Sequence, residues 1–190
     1  MGNRLSKIYT RTGDSGTTGM ADGSRVTKDS LRMHAIGDVD ELNSMLGVVI
    51  HKSRPGEIKE NMITIQHDLF NLGGQLAMPD YSMINQDRVG WLENTLDEMN
   101  AQLEPLKEFI LPGGAEDACF CHMARTICRR TERALVSLNS EAEINEDLLA
   151  YINRLSDWLF VAGRMLNKSQ SIDEVYWQSD RIIKQSSESD

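Results

Sequence analysis

The feature that most constrains this chain is a run of apolar residues spaced alternately four and three positions apart. Between residues 57 and 78 the run comprises Ile58, Met62, Ile65, Leu69, Leu72 and Leu76. This spacing places all six side chains on one face of an α-helix, whereas a half-buried β-strand alternates every second residue. Because such a face must be buried against other elements, the run predicts one helix of a packed bundle.

Similar spacing recurs in four more segments, so the predicted fold is all-α. Helices are predicted at about 31 to 51, 57 to 78, 87 to 103, 115 to 138 and 145 to 168. Pro79 is expected to end the second helix, and Asn145 is expected to cap the fifth. We expect one domain over residues 1–190, with a glycine-rich N-terminal arm (1–30), a five-helix bundle (31–168) and a tail (169–190) that frays at its end.

The net charge of -9 excludes several classes of partner. Proteins that bind nucleic acids or anionic membranes do so mainly with dense Lys and Arg patches. No apolar run approaches the roughly 20 residues that cross a bilayer, and the N-terminus lacks a secretory pattern. We therefore expect a cytoplasmic protein with no nucleic-acid or membrane partner, although a local pocket for a small anion is compatible with this charge.

Despite the acidic composition, cations gather in the fourth predicted helix. At about 100° per residue, Arg125, Arg129 and Glu132 lie along one edge of its apolar face, with His122 and Arg133 beyond them. The simplest interpretation is a solvated face with charge pairs between residues four apart. The alternative is an anion clamp, because arginine presents a rigid fork of donors suited to phosphate. Spacing by itself leaves both open.

The N-terminal arm is a second candidate for anion binding. Residues 9–19 combine hydroxyl groups with glycines, whose backbone can approach an anion closely, and Arg25 and Lys28 follow. The segment is not a Walker loop, because no Gly-Lys-Ser or Gly-Lys-Thr follows it. An ordinary turn-rich arm is an equally good interpretation of these residues.

Three other features of the sequence are weaker indications of a functional site. Asn153, beside the core position Ile152, is interpreted either as a local hydrogen bonder or as a ligand contact. No glutamate has a histidine three places on, so a di-metal carboxylate site is excluded and no protein metal site is predicted. Cys119, Cys121 and Cys128 form no CxxC pair, and we predict buried free thiols.

Together, these segments closely resemble the PduO-type ATP:cob(I)alamin adenosyltransferases over about residues 8 to 167. Several motifs in the right order are far more specific than any one of them. In chain order, the matching motifs are Tyr9-Thr10-Arg11-Thr12-Gly13-Asp14 with Gly16-Thr17-Thr18, Arg25-Val26-Thr27-Lys28-Asp29, Gly37-Asp38-Val39-Asp40-Glu41-Leu42-Asn43, Ile65-Gln66-His67-Asp68-Leu69-Phe70, Phe109 to Gly114, Ala124-Arg125-Thr126, Arg129-Arg130-Thr131-Glu132-Arg133 and Asn153-Arg154-Leu155-Ser156-Asp157.

The resemblance implies a homotrimer with each active site between neighbouring subunits. It also implies an interface pair, Asp40 with Arg125, and a corrinoid contact, Phe109, that helps to displace the lower axial ligand of cobalt. Arg129, Asn153 and Phe109 are the implied catalytic residues. The implied ATP contacts are Thr10, Arg11, Thr12, Gly13, Thr18, Gly19 and Lys28 in the arm and Arg129, Arg130, Glu132, Arg133 and Asn153 in the helices.

The implied reaction moves the 5′-deoxyadenosyl group of ATP to the cobalt of cob(I)alamin or another corrinoid, forming adenosylcobalamin and releasing triphosphate. The sequence offers no convincing nucleophilic triad, and this reaction needs none. By the resemblance, Lys28, Arg129 and magnesium stabilise the charge on the triphosphate. A reductase and a B12-dependent enzyme are candidate partners. The rival interpretations are an ATP-hydrolysing helical bundle and a non-enzymatic helical interaction protein.

Overall fold

The computed structural model describes residues 9–78 and 81–178 of the chain. Within these ranges the chain forms five helices and a hairpin of two short strands, so the predicted all-α five-helix fold is confirmed. In chain order, the elements are β1 (Thr17–Gly19), β2 (Arg25–Thr27), α1 (Leu31–Lys52), α2 (Glu57–Ala77), α3 (Gln86–Asn100), α4 (Glu116–Asn139) and α5 (Glu146–Ser169).

The helix ends follow from local sequence. Ser30, Asn85 and Asn145 cap α1, α3 and α5, because the side chain of each accepts an N–H from the first turn that has no partner within the helix. The predicted cap at Asn145 is confirmed. α3 is shorter than predicted and ends at Asn100, since residues 101–103 close in tighter turns. Pro79 lies outside the described residues.

The apolar faces of the helices form one core. α1 packs against α2 and α4, α5 packs against α4 and α3, and the predicted seam of α2 is buried from Met62 to Leu76. Trp158 and Tyr151 of α5 are fully buried, and each such aromatic contributes large apolar contact. We estimate that truncating a core leucine such as Leu155 to alanine costs about 2–5 kcal/mol.

A buried polar network connects α2, α3 and α5. The phenol of Tyr151 donates to Asp68 Oδ2 at 2.9 Å, and Arg88 Nε donates to the same oxygen at 3.0 Å. Burial, then the nearby Asp68 carboxylate, raises the pKa of Tyr151 well above its usual value. Because the carboxylate is both paired and hydrogen-bonded, its charge is tolerated in the core.

Two irregular segments flank the bundle. In the arm, β1 and β2 pair antiparallel with Thr18 opposite Val26, which agrees with the turns and short extended pieces predicted for this region. At the other end, the chain after α5 returns to the loop before α4 and forms a bridge between Ile110 and Tyr176. None of the described helices is long and apolar enough to cross a membrane.

Candidate functional site

The edge of α4 carries two guanidinium groups that have no carboxylate partner in the described part of the chain. Arg129 is exposed, and within the described residues its side chain makes no hydrogen bond or ion pair. One turn earlier, Arg125 Nε is buried, and no residue that the structure describes accepts a hydrogen bond from it. Burial, and then the charge of Arg129, lowers the pKa of Arg125. An unpaired cation beside a second one favours the anion clamp over a solvated face with charge pairs.

Glu132 and Asn153 join α4 to α5 at the same edge. Asn153 Nδ2 donates to Glu132 Oε1 at 2.8 Å, and no described residue pairs with Asn153 Oδ1. Arg133 Nη1 donates to the carbonyl oxygen of Arg129 at 2.9 Å and remains exposed. Asn153 therefore is a local hydrogen bonder, and it also keeps an acceptor for a ligand.

Arg130, unlike Arg129, has carboxylate partners within the chain. Its guanidinium pairs with Glu41 and, at 3.4 Å, with Asp38, both on α1. The hydrogen bond that Arg130 donates to Glu41 is the main cause that raises the pKa of Arg130. This cation ties α4 to α1 within the protomer, and its role as an ATP contact stays a prediction.

The arm folds around two basic side chains. Arg25 Nη2 donates to the carbonyl oxygen of Thr12 at 2.6 Å and to the hydroxyl of Thr17 at 2.7 Å, which holds the hairpin against the turn before it. Lys28 lies over Gly13, where a Cβ atom would stand 3.1 Å from Lys28 Nζ. Gly13 therefore allows a close approach of the cation that a larger residue would hinder.

The arm presents an exposed donor surface. Lys28, Thr10 and Thr12 are exposed, and the two threonine hydroxyls lie 2.9 Å apart. Gly16 has a φ of 84°, the left-handed region that glycine adopts without strain. Within one protomer, no hydrogen bond of the described residues joins the arm to Arg129, Glu132 or Asn153. The structure thus gathers the predicted ATP contacts into two groups and does not join them.

Phe109 lies on the loop between α3 and α4 and projects into solvent. It is 75% exposed, and its ring contacts Trp177 edge to face with centroids 6.5 Å apart. Its own carbonyl and the backbone of Leu111 pair with the chain after α5: Trp177 N donates to Phe109 O at 2.7 Å, and Leu111 N donates to Val175 O at 2.8 Å. An exposed aromatic on a braced backbone is suited to contact with an apolar ligand face.

Asp40 lies in a groove between α1 and α2. The groove has a volume of about 550 Å³, and its wall includes Met33, Ile36 and the 77% exposed Phe70. Within the described part of the chain, Asp40 makes no ion pair. The single protomer therefore does not bring Asp40 and Arg125 together.

Comparisons with known proteins agree on one family. The cobalamin adenosyltransferase family model matches residues 8–166. The chain is 52% identical to a cobalamin adenosyltransferase of Cupriavidus metallidurans, covering 95% of this chain and 99% of that protein. It is 43% identical to a corrinoid adenosyltransferase of Bacillus subtilis, covering 93% of this chain and 95% of that one. This chain belongs to the cobalamin adenosyltransferase family.

Solved structures of family members share the fold. A variant PduO-type ATP:corrinoid adenosyltransferase of Lactobacillus reuteri, complexed with cobalamin and ATP, superposes with a TM-score of 0.85 at 36% identity, covering 91% of this chain and 100% of that one. Another variant of the same enzyme, complexed with ATP, gives a TM-score of 0.83 at 37% identity, covering 90% of this chain and 100% of that one.

Two expectations about this cobalamin adenosyltransferase family member need correction. His122, predicted to lie beyond the edge of the apolar face, is only 4% exposed, because α4 packs against both α1 and α5 and its buried face is wider than a single seam. Cys119 is exposed, so only Cys121 and Cys128 are buried thiols. Burial raises the pKa of Cys121 to about 12 and also raises that of Cys128, which keeps both thiols protonated.

Sequence reasoning missed a group of buried polar residues behind Phe109. Arg164 and Asn167 of α5 are 5% and 3% exposed, and both contact the loop that carries Phe109. The sequence does contain an indication of these two residues, because a charged and an amide residue interrupt the apolar seam of α5 one turn apart. This pattern does not identify the hydrogen-bond partners of Arg164 and Asn167, which lie far away in the sequence.

Proposed function

We propose that this chain is a corrinoid adenosyltransferase that moves the 5′-deoxyadenosyl group of ATP to the cobalt of cob(I)alamin. The observation that carries the proposal is the likeness to the Lactobacillus reuteri enzyme complexed with cobalamin and ATP, at 36% identity over 91% of this chain. The two groups of candidate ATP contacts and the exposed Phe109 supply groups suited to these two substrates.

Charge complementarity supports the ATP half of the proposal. Arg129 and Lys28 are exposed cations, and the glycine-rich turn at Gly13 offers backbone donors beside Lys28. Charge builds on the triphosphate as it leaves, so cations placed along it lower the barrier. Asn153 offers its Oδ1 to the nucleoside, and Glu132 holds the amide in place by accepting from its Nδ2.

The chemistry requires no protein nucleophile. The cobalt(I) centre supplies an electron pair to C5′ of the ribose, a Co–C bond forms, the C5′–O bond breaks, and triphosphate leaves with that bonding pair. The protein acts by holding the reactants in line and stabilising the leaving group. Cys121 and Cys128 have raised pKa values and stay protonated, which is consistent with a reaction that uses no protein nucleophile.

We propose that magnesium binds together with ATP. Among the described residues, no cluster of three or more His, Cys, Asp or Glu side chains could hold a metal ion. Magnesium commonly binds through substrate phosphates and water with few protein ligands. We therefore treat it as an ion that enters with ATP, where it neutralises phosphate charge, and we assign it no protein ligands.

We further propose that the active unit is a homotrimer. Among the described residues, the buried Nε of Arg125 has no hydrogen-bond partner and Asp40 has no ion pair, so pairing between subunits would satisfy both. We also propose that each active site lies between neighbouring subunits, with the arm of one subunit at the α4 edge of the next. The cytoplasmic location, the reductase and a B12-dependent acceptor enzyme stay predictions.

The decisive experiment is a spectrophotometric assay of cob(I)alamin with ATP and magnesium, with the released phosphate species identified. The transferase forms adenosylcobalamin and releases triphosphate only when corrinoid is present. Release of inorganic phosphate without corrinoid would instead identify an ATP-hydrolysing bundle. Absence of both ATP binding and corrinoid binding would support a non-enzymatic protein.

A further inference from the structure

Phe109 lies on a loop that would be mobile without support. The loop spans residues 101–115 between α3 and α4, and the Phe109 ring is mostly exposed. A side chain that displaces a cobalt ligand must be held in place, because each freely moving group loses conformational entropy when it engages its target. The source of that support lies on α5.

Arg164 holds the beginning of this loop. Its Nη2 donates to the carbonyl oxygen of Glu104 at 2.9 Å. The same guanidinium pairs with Glu174 through two contacts, Nε to Oε1 at 2.7 Å and Nη2 to Oε2 at 3.1 Å. The side chains of Arg164 and Glu174 are only 6% and 17% exposed. A two-pronged, largely buried pair of this kind fixes orientation as well as distance.

Asn167 holds the end of the same loop. Its Nδ2 donates to the carbonyl oxygen of Gly113 at 3.0 Å, and its Oδ1 accepts the N–H of Ala115 at 2.8 Å. Gly114 between them has a φ of 109°, and a Cβ atom there would lie 2.1 Å from Asn167 Oδ1. Asn167 therefore packs directly against the backbone of Gly114, and the Cβ atom of any other residue at position 114 would block this approach.

The ion pair between Arg164 and Glu174 is connected to Phe109 through backbone hydrogen bonds. Glu174 is followed by Val175, whose carbonyl accepts the N–H of Leu111, and by Trp177, whose N–H donates to the carbonyl of Phe109. Glu174, the residue held by Arg164, is thus one position from Val175, which makes the first of the two hydrogen bonds at Phe109 and Leu111. The described chain offers no comparable brace from α4 or α3 to Phe109 itself.

We infer that Arg164 and Asn167 are positioning residues that hold Phe109 at the corrinoid, with Glu174 as the link from Arg164 to the backbone beside Phe109. The inference rests on the proposed function, specifically on the role of Phe109 in displacing the lower ligand of cobalt. It predicts that loosening this brace impairs reactions of corrinoids that carry a lower ligand and spares those that lack one.

The test compares Glu174→Ala with Glu93→Ala. Glu93 is a matched control, because it accepts from Arg154 Nε of the same helix at 2.8 Å but lies on α3, away from the loop. Turnover is measured from cob(II)alamin with a reductant and from cobinamide, which has no lower ligand. Glu174→Ala should lose at least about tenfold with cobalamin and stay within about twofold with cobinamide. Glu93→Ala should match the wild type with both.

Two further measurements show whether the effect passes through Phe109. In a Phe109→Ala background, Glu174→Ala should cause no additional loss with cobalamin, since the group that it positions is absent. Hydrogen exchange at the Leu111 and Trp177 amides should accelerate in Glu174→Ala and remain slow in Glu93→Ala. If Glu174→Ala fails to fold, Glu174→Gln, which keeps one hydrogen bond to Arg164, takes its place with a smaller selective loss.

Equal losses with the two corrinoids, additive losses in the double variant or unchanged exchange would overturn the positioning role. Failure of the proposed function is distinguishable, because the wild-type protein itself would then form no adenosylated corrinoid. A Phe109→Ala variant with normal cobalamin turnover would refute the role of Phe109, and the hydrogen-exchange result would still report whether the brace exists.

Discussion

Asn153 Nδ2 donates to Glu132 Oε1 at 2.8 Å, so one hydrogen bond joins α5 to α4 at the edge where the exposed guanidinium of Arg129 lies. The pairing occupies the amide nitrogen of Asn153, whereas none of the described residues donates to its Oδ1. A ligand at this edge therefore meets an acceptor from Asn153 and donors from Arg129.

This relationship predicts the effect of Asn153→Asp. The variant keeps the shape of the side chain but places a carboxylate opposite the Glu132 carboxylate, so the donor is lost and two like charges face each other. A charge-assisted hydrogen bond contributes about 1.5–3 kcal/mol, which corresponds to roughly a ten- to hundredfold loss of kcat/KM at one decade per about 1.4 kcal/mol. Steady-state kinetics and analytical ultracentrifugation measure activity and assembly. Near-normal turnover in both Asn153→Asp and Arg129→Ala would contradict the assigned roles.

Phe109→Ala should act selectively on the lower ligand. The truncation removes an exposed ring without disturbing the core, so we expect unchanged thermal stability. Turnover from cob(II)alamin should fall by about tenfold or more, and turnover from cobinamide should fall much less. The spectrum of bound cob(II)alamin reports directly whether the lower ligand is displaced. Equal losses with both corrinoids would remove the proposed role.

The Asp40 and Arg125 pair can be tested by charge exchange. Asp40→Arg and Arg125→Asp should each weaken the trimer, because each places like charges together at the proposed interface. The double variant restores opposite charges and should recover assembly, as measured by sedimentation over a concentration series. A fully assembled and active Arg125→Ala protein, or a double variant no better than the single ones, would rule out the pairing.

His122 predicts a dependence of stability on pH. Burial, then the charge of Arg125, lowers its pKa below 6.5, whereas the charge of Glu174 opposes this shift. The unfolded chain therefore binds a proton more readily than the folded protein, and the stabilising contribution is complete above about pH 6.5 and falls as the pH decreases. The Tm of the wild type should drop more between about pH 7.5 and pH 5.5 than that of His122→Gln. Parallel pH curves for the two proteins would disprove this prediction.

The three cysteines should differ in reactivity. Ellman's reagent should label one thiol per native chain, Cys119, because Cys121 and Cys128 are buried and the pKa of Cys121 is raised to about 12. All three should react after unfolding, and Cys119→Ser should show no fast reaction. Since the proposed chemistry uses no thiol, Cys119→Ser should retain full turnover. Rapid labelling of two thiols in the native protein would be inconsistent with this burial pattern.

The helices and their order were predictable because periodicity and capping are local. The spacing of apolar residues from Ile58 to Leu76 specifies one face of α2 whatever it packs against, and Asn145 caps α5 with a neighbouring N–H. The ordered motifs, including the arm and the Arg129 to Arg133 run, also identified the family before any fold was known.

The partners of polar side chains were decided only by the tertiary structure. Arg130 pairs with Glu41 from 89 residues away, and Arg164 reaches Glu104 across 60 residues, so neither contact leaves a trace in local spacing. His122 is buried because two neighbouring helices cover α4, which no single-helix pattern reports. Periodicity determines which face of a helix is buried, and the rotation and approach of the neighbouring elements determine which polar group each side chain meets.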